Sequence, residues 1–140
     1  MNGVYNYCGK NDHILWVDGD DEMIGKQTLR LINSLYQKNP NLWIIYSTFY
    51  SSKFGYGTSK QMKYNSNIIK NGKRIVGHKI GHLSTFKAAL YKHIKMEDLK
   101  KKNGEWLDVM TDDTIQYPMT EMAKAPRILF VHEILYFYNR

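Results

Sequence analysis

The sequence predicts an α/β fold from two apolar runs and the amphipathic segment between them. The runs at residues 14–17 and 42–46 are short and almost wholly apolar, which is typical of strands buried on both faces. Between them, apolar residues such as Ile32 and Tyr36 recur at helical spacing, and Pro40 ends the pattern. Strand, helix and strand within about 35 residues form a βαβ unit, which predicts parallel strands and a right-handed crossover.

The segments beyond this unit predict shorter elements. Residues 50–73 are rich in Ser, Gly, Asn, Tyr and Lys and lack a clean period, so we expect a long loop. Apolar residues at helical spacing then predict a helix capped by Ser84 or Thr85. The remaining predicted elements are a short strand at 74–76, a turn at 100–104 and two closing strands at 128–131 and 134–137. Without an internal repeat or a linker, residues 1–140 are predicted to form a single domain.

Composition sets the protein class. The chain has 140 residues, of which 43% are hydrophobic, so it can bury a core without covalent staples. The single cysteine, Cys8, excludes an internal disulfide framework and a cysteine-rich zinc site. No apolar run approaches the roughly 18 residues that span a membrane, and the first residues lack the features of a signal peptide. We therefore expect a soluble, cytoplasmic protein.

The formal charge of +7 is unevenly distributed. Residues 51–103 hold 13 basic and 2 acidic side chains, whereas residues 1–50 and 104–140 are each slightly acidic. A basic middle between two carboxylate clusters suits a diphosphate and its metal ion. A nucleic-acid partner is not expected, because the aromatic residues follow no recognised RNA-binding signature.

The first carboxylate cluster, at 18–22, directly follows the first strand. Ligands of α/β sheets bind at the carboxyl ends of strands, and Mg²⁺ and Mn²⁺ prefer oxygen ligands. Asp18 and Asp20 are therefore candidate metal ligands, and the alternative is an acidic turn that caps the next helix. A calcium EF-hand loop is excluded because Met23 and Leu29 stand where it requires Gly and Glu.

The second carboxylate cluster comprises Asp108, Asp112 and Asp113, and the last two stand at the start of a predicted helix. Pro118 lies inside that pattern, so the helix is either kinked or begins later. Aspartates at a helix start commonly serve as caps and compensate the helix dipole. The functional alternative is a general base that accepts a proton from a sugar hydroxyl.

His78 and His82 stand between the two clusters, at a spacing that would suit two metal ligands on a helix. Gly77 and Gly81 argue against a helix there, so a zinc site is not expected. A loop of His, Ser and Thr before a helix suits a phosphate or sugar hydroxyls. An ordinary capped helix start is the alternative.

Several of these segments also match one family pattern in the same order. They are the Asp-Gly-Asp at 18–20 with its preceding strand, the strand at 42–46, the His-Leu-Ser-Thr-Phe at 82–86, the helix at 112–122 with its Pro-Met-Thr-Glu-Met, and the closing strand at 134–139. Together they resemble family 2 glycosyltransferases, although Ser47 and Ser84 replace a usual glycine and arginine. The resemblance implies a GT-A, Rossmann-like fold with a mixed sheet flanked by helices.

The resemblance implies a metal-dependent donor site. Asp20 would bind Mn²⁺ or Mg²⁺, and Asp18 would lie by the ribose or share the metal through water. His82 and Thr85 would help to form the donor-diphosphate or acceptor side of the cleft. The implied donor is a nucleotide-diphosphate sugar, and the implied acceptor is a glycan or another hydroxyl compound.

The resemblance also implies an inverting transfer of the sugar. Asp112 stands six residues before Pro118, as the family's catalytic base does, and Asp113 is the second choice. Asp112 would deprotonate the acceptor, while the metal and nearby basic residues would stabilise the departing diphosphate.

The N-terminal part departs from the family pattern. Only about a dozen residues precede Ile14, too few for two βα units of roughly 30 residues each, so the resemblance implies the C-terminal portion of a GT-A domain. A partner chain that supplies the missing strands is one expectation, and activity of this chain alone is not predicted. The alternatives are a basic nucleic-acid-binding module and a catalytically inactive interaction domain.

Overall fold

The computed structural model describes residues 2–56, 69–70, 73–74, 82–107 and 112–139 of the chain. The helices are α1 (Asn2–Tyr7), α2 (Thr28–Lys38), α3 (Ala88–Tyr91) and α4 (Asp112–Ala123). The strands are β1 (His13–Trp16), β2 (Glu22–Met23), β3 (Ile44–Ser51), β4 (Gly55–Tyr56), β5 (Ile69–Lys70), β6 (Lys73–Arg74), β7 (Ser84–Lys87) and β8 (Ile128–Tyr138). Two single 3₁₀ turns, Met96–Leu99 and Ala125–Arg127, complete the described elements.

The main sheet is mixed, and its strands follow the order β1-β7-β3-β8-β2, with β4 paired to β3. Strands β3 and β8 are parallel, whereas β7 is antiparallel to both β1 and β3. Strands β1 and β3 therefore run in the same direction, as the βαβ pattern predicts, but β7 lies between them. The coarse expectation of a mixed sheet flanked by helices is confirmed.

Each face of the sheet carries a separate hydrophobic cluster, because successive strand residues point to opposite sides. Ile45 faces α2 and packs with Ile32 and Tyr36. Ile44 belongs to the opposite cluster, which includes Met119 of α4. The predicted helix that contains Ile32 and Tyr36 and ends before Pro40 is confirmed as α2, whose apolar stripe covers one of these faces.

The prediction of a helix beginning at Ser84 or Thr85 is wrong, because Ser84–Lys87 forms strand β7. This strand pairs on both sides, with β1 and with β3. Thr85 and Phe86 are residue types that favour strands, and pairing on two sides outweighs a weak helical period. The helix begins only at Ala88 and lasts a single turn.

The closing segment is one long strand, β8, and not two strands. Its pairing with β3 shifts between Val131 and Ile134, which leaves His132 and Glu133 in an irregular stretch. Both side chains are exposed. A bulge of this kind interrupts the apolar pattern without ending the strand, which explains the prediction of two elements.

Helix α4 precedes β8, and the short connection between them places its last turn. Strand β8 begins beside Ile44, and only Lys124 and the turn Ala125–Arg127 separate it from α4. The last turn of α4 therefore lies near the edge where β3 begins. The first turns of α4 lie near Trp16, at the end of β1, because Ile115 and Gln116 line a small cavity with this residue. The helix continues through Pro118 from Asp112, so a later start is excluded.

In the described part of the chain, no helix has the length and apolarity needed to cross a membrane.

Candidate functional site

A tight turn, Asp18 to Asp21, follows β1 at the edge of the sheet. The backbone N–H of Asp21 donates to the carbonyl of Asp18 over 3.2 Å, which closes the turn. Gly19 and Asp20 occupy its exposed tip. The strand that precedes the turn is apolar and partly buried, so the carboxylates stand where the chain leaves the core. This is the edge at which ligands of α/β sheets bind.

Two buried side chains anchor the turn to β8. The hydroxyl of Tyr136 donates to Oδ2 of Asp21 over 2.7 Å. The same hydroxyl accepts the backbone N–H of Asp18 over 3.1 Å. The backbone N–H of Asn139 donates to Oδ1 of Asp21 over 2.8 Å. Both ends of the turn are thus fixed to one strand, and both carboxylate oxygens of Asp21 have a donor.

The electrostatics of the anchor follow from its burial. Tyr136 is 0% exposed and Asp21 is 9% exposed. Burial raises the pKa of Tyr136 above its ordinary value, and the carboxylates of Asp21 and Asp18 raise it further. The tyrosine therefore stays protonated at neutral pH and can donate its hydrogen to Asp21.

The carboxylate of Asp18 has a different partner. The indole Nε1–H of Trp16 donates to Oδ1 of Asp18 over 3.3 Å, so the last residue of β1 orients the first carboxylate of the turn. Asp18 is half-buried, whereas Asp20 is exposed. Asp20 is therefore the more accessible of the two predicted metal ligands.

Residues of helix α4 lie near Trp16, the last residue of β1. The indole lines a small cavity together with Phe86 of β7 and Ile115, Gln116 and Met119 of α4. Residue 112 lies one helical turn before Gln116.

The first turns of α4 thus lie near Trp16, the last residue of β1. The side chains of Asp112 and Asp113 lie outside the described part of the structure, so the choice of base stays a prediction. Asp108 and His78 also lie outside the described residues.

His82 is held against the anchoring tyrosine. Its ring stacks on Tyr136 with centroids 4.9 Å apart and an interplanar angle of 10°. It also stacks on Tyr138 at 5.1 Å. The ring of Phe49 meets it edge-on at 5.6 Å. His82 is half-buried, so this packing sets the position of its ring.

Thr85 lies inside the core and is 1% exposed. Its hydroxyl donates to the carbonyl of Ile45 over 3.1 Å. The hydroxyl of Tyr36 lies 2.9 Å from Oγ1 of Thr85. These partners join α2 to the central sheet, so the described contacts of Thr85 are structural. The predicted contact with a donor or acceptor stays a prediction.

The metal prediction rests on two carboxylates. Among the residues that the structure describes, no three His, Cys, Asp or Glu side chains come together as a metal-binding group. Two carboxylates still fit Mg²⁺ or Mn²⁺, because Mg²⁺ sites commonly use one or two protein carboxylates and complete the shell with water and substrate phosphates. Asp18 and Asp20 supply that donor chemistry at a half-buried and an exposed position.

Sequence reasoning assigned no role to Asp21, Tyr136 and Asn139. Asp21 is separated from Tyr136 by 115 positions, so no local pattern connects them. One signal was present, because an aspartate this close to a buried strand needs a hydrogen-bond donor if it is itself buried. The sequence does not say which donor that is.

In comparisons with known proteins, no family model matches the chain, and no curated protein matches it.

Proposed function

We propose that the chain is a glycosyltransferase domain of the GT-A type, which transfers a sugar from a nucleotide-diphosphate sugar to an acceptor hydroxyl with inversion. One observation carries the proposal. The Asp18–Asp21 turn comes two residues after Trp16, and Trp16 lines a small cavity with Ile115 and Gln116 in the first turns of α4. This proximity supports the assignment of the turn and the start of α4 to one site.

The donor half of the reaction is assigned to the turn. Asp20 would hold a divalent cation, and Asp18 would share it through water or contact the ribose. Bound Mn²⁺ or Mg²⁺ would supply charge stabilisation to the departing diphosphate. The anchor on Tyr136 keeps the carboxylates in place before the substrate arrives, so little ordering is needed on binding. His82, stacked on the same tyrosine, would contribute to the donor side.

The acceptor half is assigned to the start of α4. Asp112 would accept the proton from the acceptor hydroxyl as its oxygen attacks the anomeric carbon, and Asp113 is the second choice. A carboxylate of ordinary acidity is an adequate base when position does most of the activation. Attack from the face opposite the leaving diphosphate inverts the configuration at that carbon.

Calorimetry with nucleotide sugars, in the presence and absence of Mn²⁺, tests the donor half. We expect Asp20→Asn to abolish Mn²⁺-dependent binding. Asp98→Asn, which removes an exposed carboxylate from the 3₁₀ turn at 96–99, is the matched control and should bind as the wild type does. Equal binding by Asp20→Asn and the wild type would refute the metal role.

A transfer assay tests the acceptor half. Asp112→Asn should retain Mn²⁺-dependent donor binding and lose transfer activity. If only Asp113→Asn loses transfer activity, Asp113 is the base instead. A wild-type chain that binds no nucleotide sugar with or without Mn²⁺ would instead support an inactive interaction domain.

A further inference from the structure

We infer that Tyr136 is a positioning residue that joins the Asp18–Asp21 turn and His82 into one preorganised unit. The inference rests on the proposed function of that edge and concerns how its residues are held. Tyr136 would touch no substrate. It would act through the carboxylates of the turn and through the ring of His82.

The hydroxyl of Tyr136 holds the turn from two sides. It gives its single hydrogen to Asp21 and accepts the N–H of Asp18. These two residues are also joined by the bond that closes the turn. Because Tyr136 is 0% exposed, water cannot readily replace either bond. Asp20 is therefore an exposed residue that lies between two anchored residues, Asp18 and Asp21.

The ring of Tyr136 packs against His82, the second part of the proposed unit. His82 stacks on it almost in parallel, and His82 belongs to the segment that leads into β7. Strand β8, which carries Tyr136, pairs with β3 on one side and β2 on the other. One rigid strand thus supports two segments that are far apart in sequence. Supporting residues that lock a site in this way reduce the ordering needed on binding.

The functional consequence concerns the conformational freedom of Asp18 and Asp20. Without the hydroxyl, the turn keeps its closing bond and the bond from the Asn139 N–H to Asp21, but it loses both bonds to Tyr136. The two carboxylates then sample more arrangements, and each arrangement that cannot hold the cation lowers its apparent affinity. The ring stack with His82 does not depend on the hydroxyl, so the two functions of the tyrosine can be separated.

Tyr136→Phe removes the hydroxyl and keeps the ring. Two measurements apply: hydrogen exchange of the backbone amides at 18–21 by NMR, and calorimetric affinity for Mn²⁺ alone. We expect exchange of the Asp18 amide to accelerate at least about tenfold and Mn²⁺ affinity to fall about tenfold, which corresponds to the loss of one ordinary hydrogen bond. Exchange of Ile45 in the core should not change, which separates local loosening from global destabilisation.

Tyr50→Phe is the matched control, because Tyr50 lies on the neighbouring strand β3 with an exposed side chain. Its exchange and its Mn²⁺ affinity should equal those of the wild type. If Tyr136→Phe does not fold, Asp21→Ala removes both acceptor oxygens of the same anchor and should also accelerate exchange at 18–21.

The outcomes separate the two proposals. Unchanged exchange at 18–21 in the folded variants would overturn the positioning role, as would faster exchange with unchanged Mn²⁺ affinity. A wild-type chain that binds no Mn²⁺, with exchange accelerated in Tyr136→Phe, would remove the proposed metal site and leave the anchoring role of Tyr136 intact.

Discussion

The hydroxyl of Tyr36 donates to Oγ1 of Thr85 across 2.9 Å, and this bond joins α2 to the central sheet. The direction follows from the second bond of Thr85, whose only hydroxyl hydrogen is given to the carbonyl of Ile45. Burial raises the pKa of Tyr36, so its hydroxyl stays protonated and available as a donor. Thr85 therefore forms a buried polar contact between α2 and the sheet.

Thr85→Val should destabilise the protein by about 1–3 kcal/mol, because the buried hydroxyl of Tyr36 then has no acceptor in Thr85. Urea denaturation measures the change. Thr85→Ser keeps the hydroxyl and should cost less. The double variant Tyr36→Phe/Thr85→Val removes both polar groups, so it should be more stable than the sum of the single losses. Strict additivity would show that the two hydroxyls do not interact.

The sequence predicts best those features whose cause is local. The stripe that contains Ile32 and Tyr36 predicts α2 because a helix repeats every 3.6 residues. Strand β7 is mistaken for a helix because its pairing partners on both sides are distant in the chain, and pairing decides its conformation. The carboxylates after β1 are predicted from position alone. The bond between Asp21 and Tyr136 is not, because only the folded chain brings these residues together.

Gly19 and Gly25 should respond differently to alanine. A Cβ at either position meets nothing within 4 Å, but Gly25 has a φ of +77° and Gly19 lies outside the left-handed region. Gly25→Ala should therefore cost about 1–2 kcal/mol, whereas Gly19→Ala should change stability by less than about 0.5 kcal/mol. Thermal denaturation of the two variants checks this difference. A larger loss for Gly19→Ala would mean that the turn needs glycine for a reason other than its backbone conformation.

Ser47 should be more important to stability than its size suggests. It is 0% exposed, and its hydroxyl accepts the backbone N–H of Leu83 over 3.1 Å. Ser47→Ala leaves that buried N–H without this acceptor, so we expect a loss of about 1–3 kcal/mol. Ser34→Ala, on α2, is the matched control and should be neutral or slightly stabilising, because alanine favours a helix more than serine does. Chemical denaturation compares the two, and equal effects would contradict the role of the Ser47 hydroxyl.

Alkaline pH should destabilise the protein partly through Tyr136. Burial, together with the carboxylates of Asp21 and Asp18, raises the pKa of Tyr136 above the ordinary value of 10.0. Above that pH, the unfolded chain releases the proton while the folded chain retains it, so stability falls as pH rises, by up to about 1.4 kcal/mol per pH unit for each such group. Below pH 10.0 the contribution is fully present, because both states are protonated.

Urea denaturation at a series of pH values from about 9 to 11 measures this slope. Tyr136→Phe cannot ionise at this position, so its free energy of unfolding should decline less steeply with pH than that of the wild type. The difference between the two slopes should correspond to the release of about one proton. The remaining slope includes Tyr36, whose pKa burial also raises. Identical slopes for Tyr136→Phe and the wild type would show that the buried hydroxyl loses its proton as readily in the folded chain as in the unfolded one.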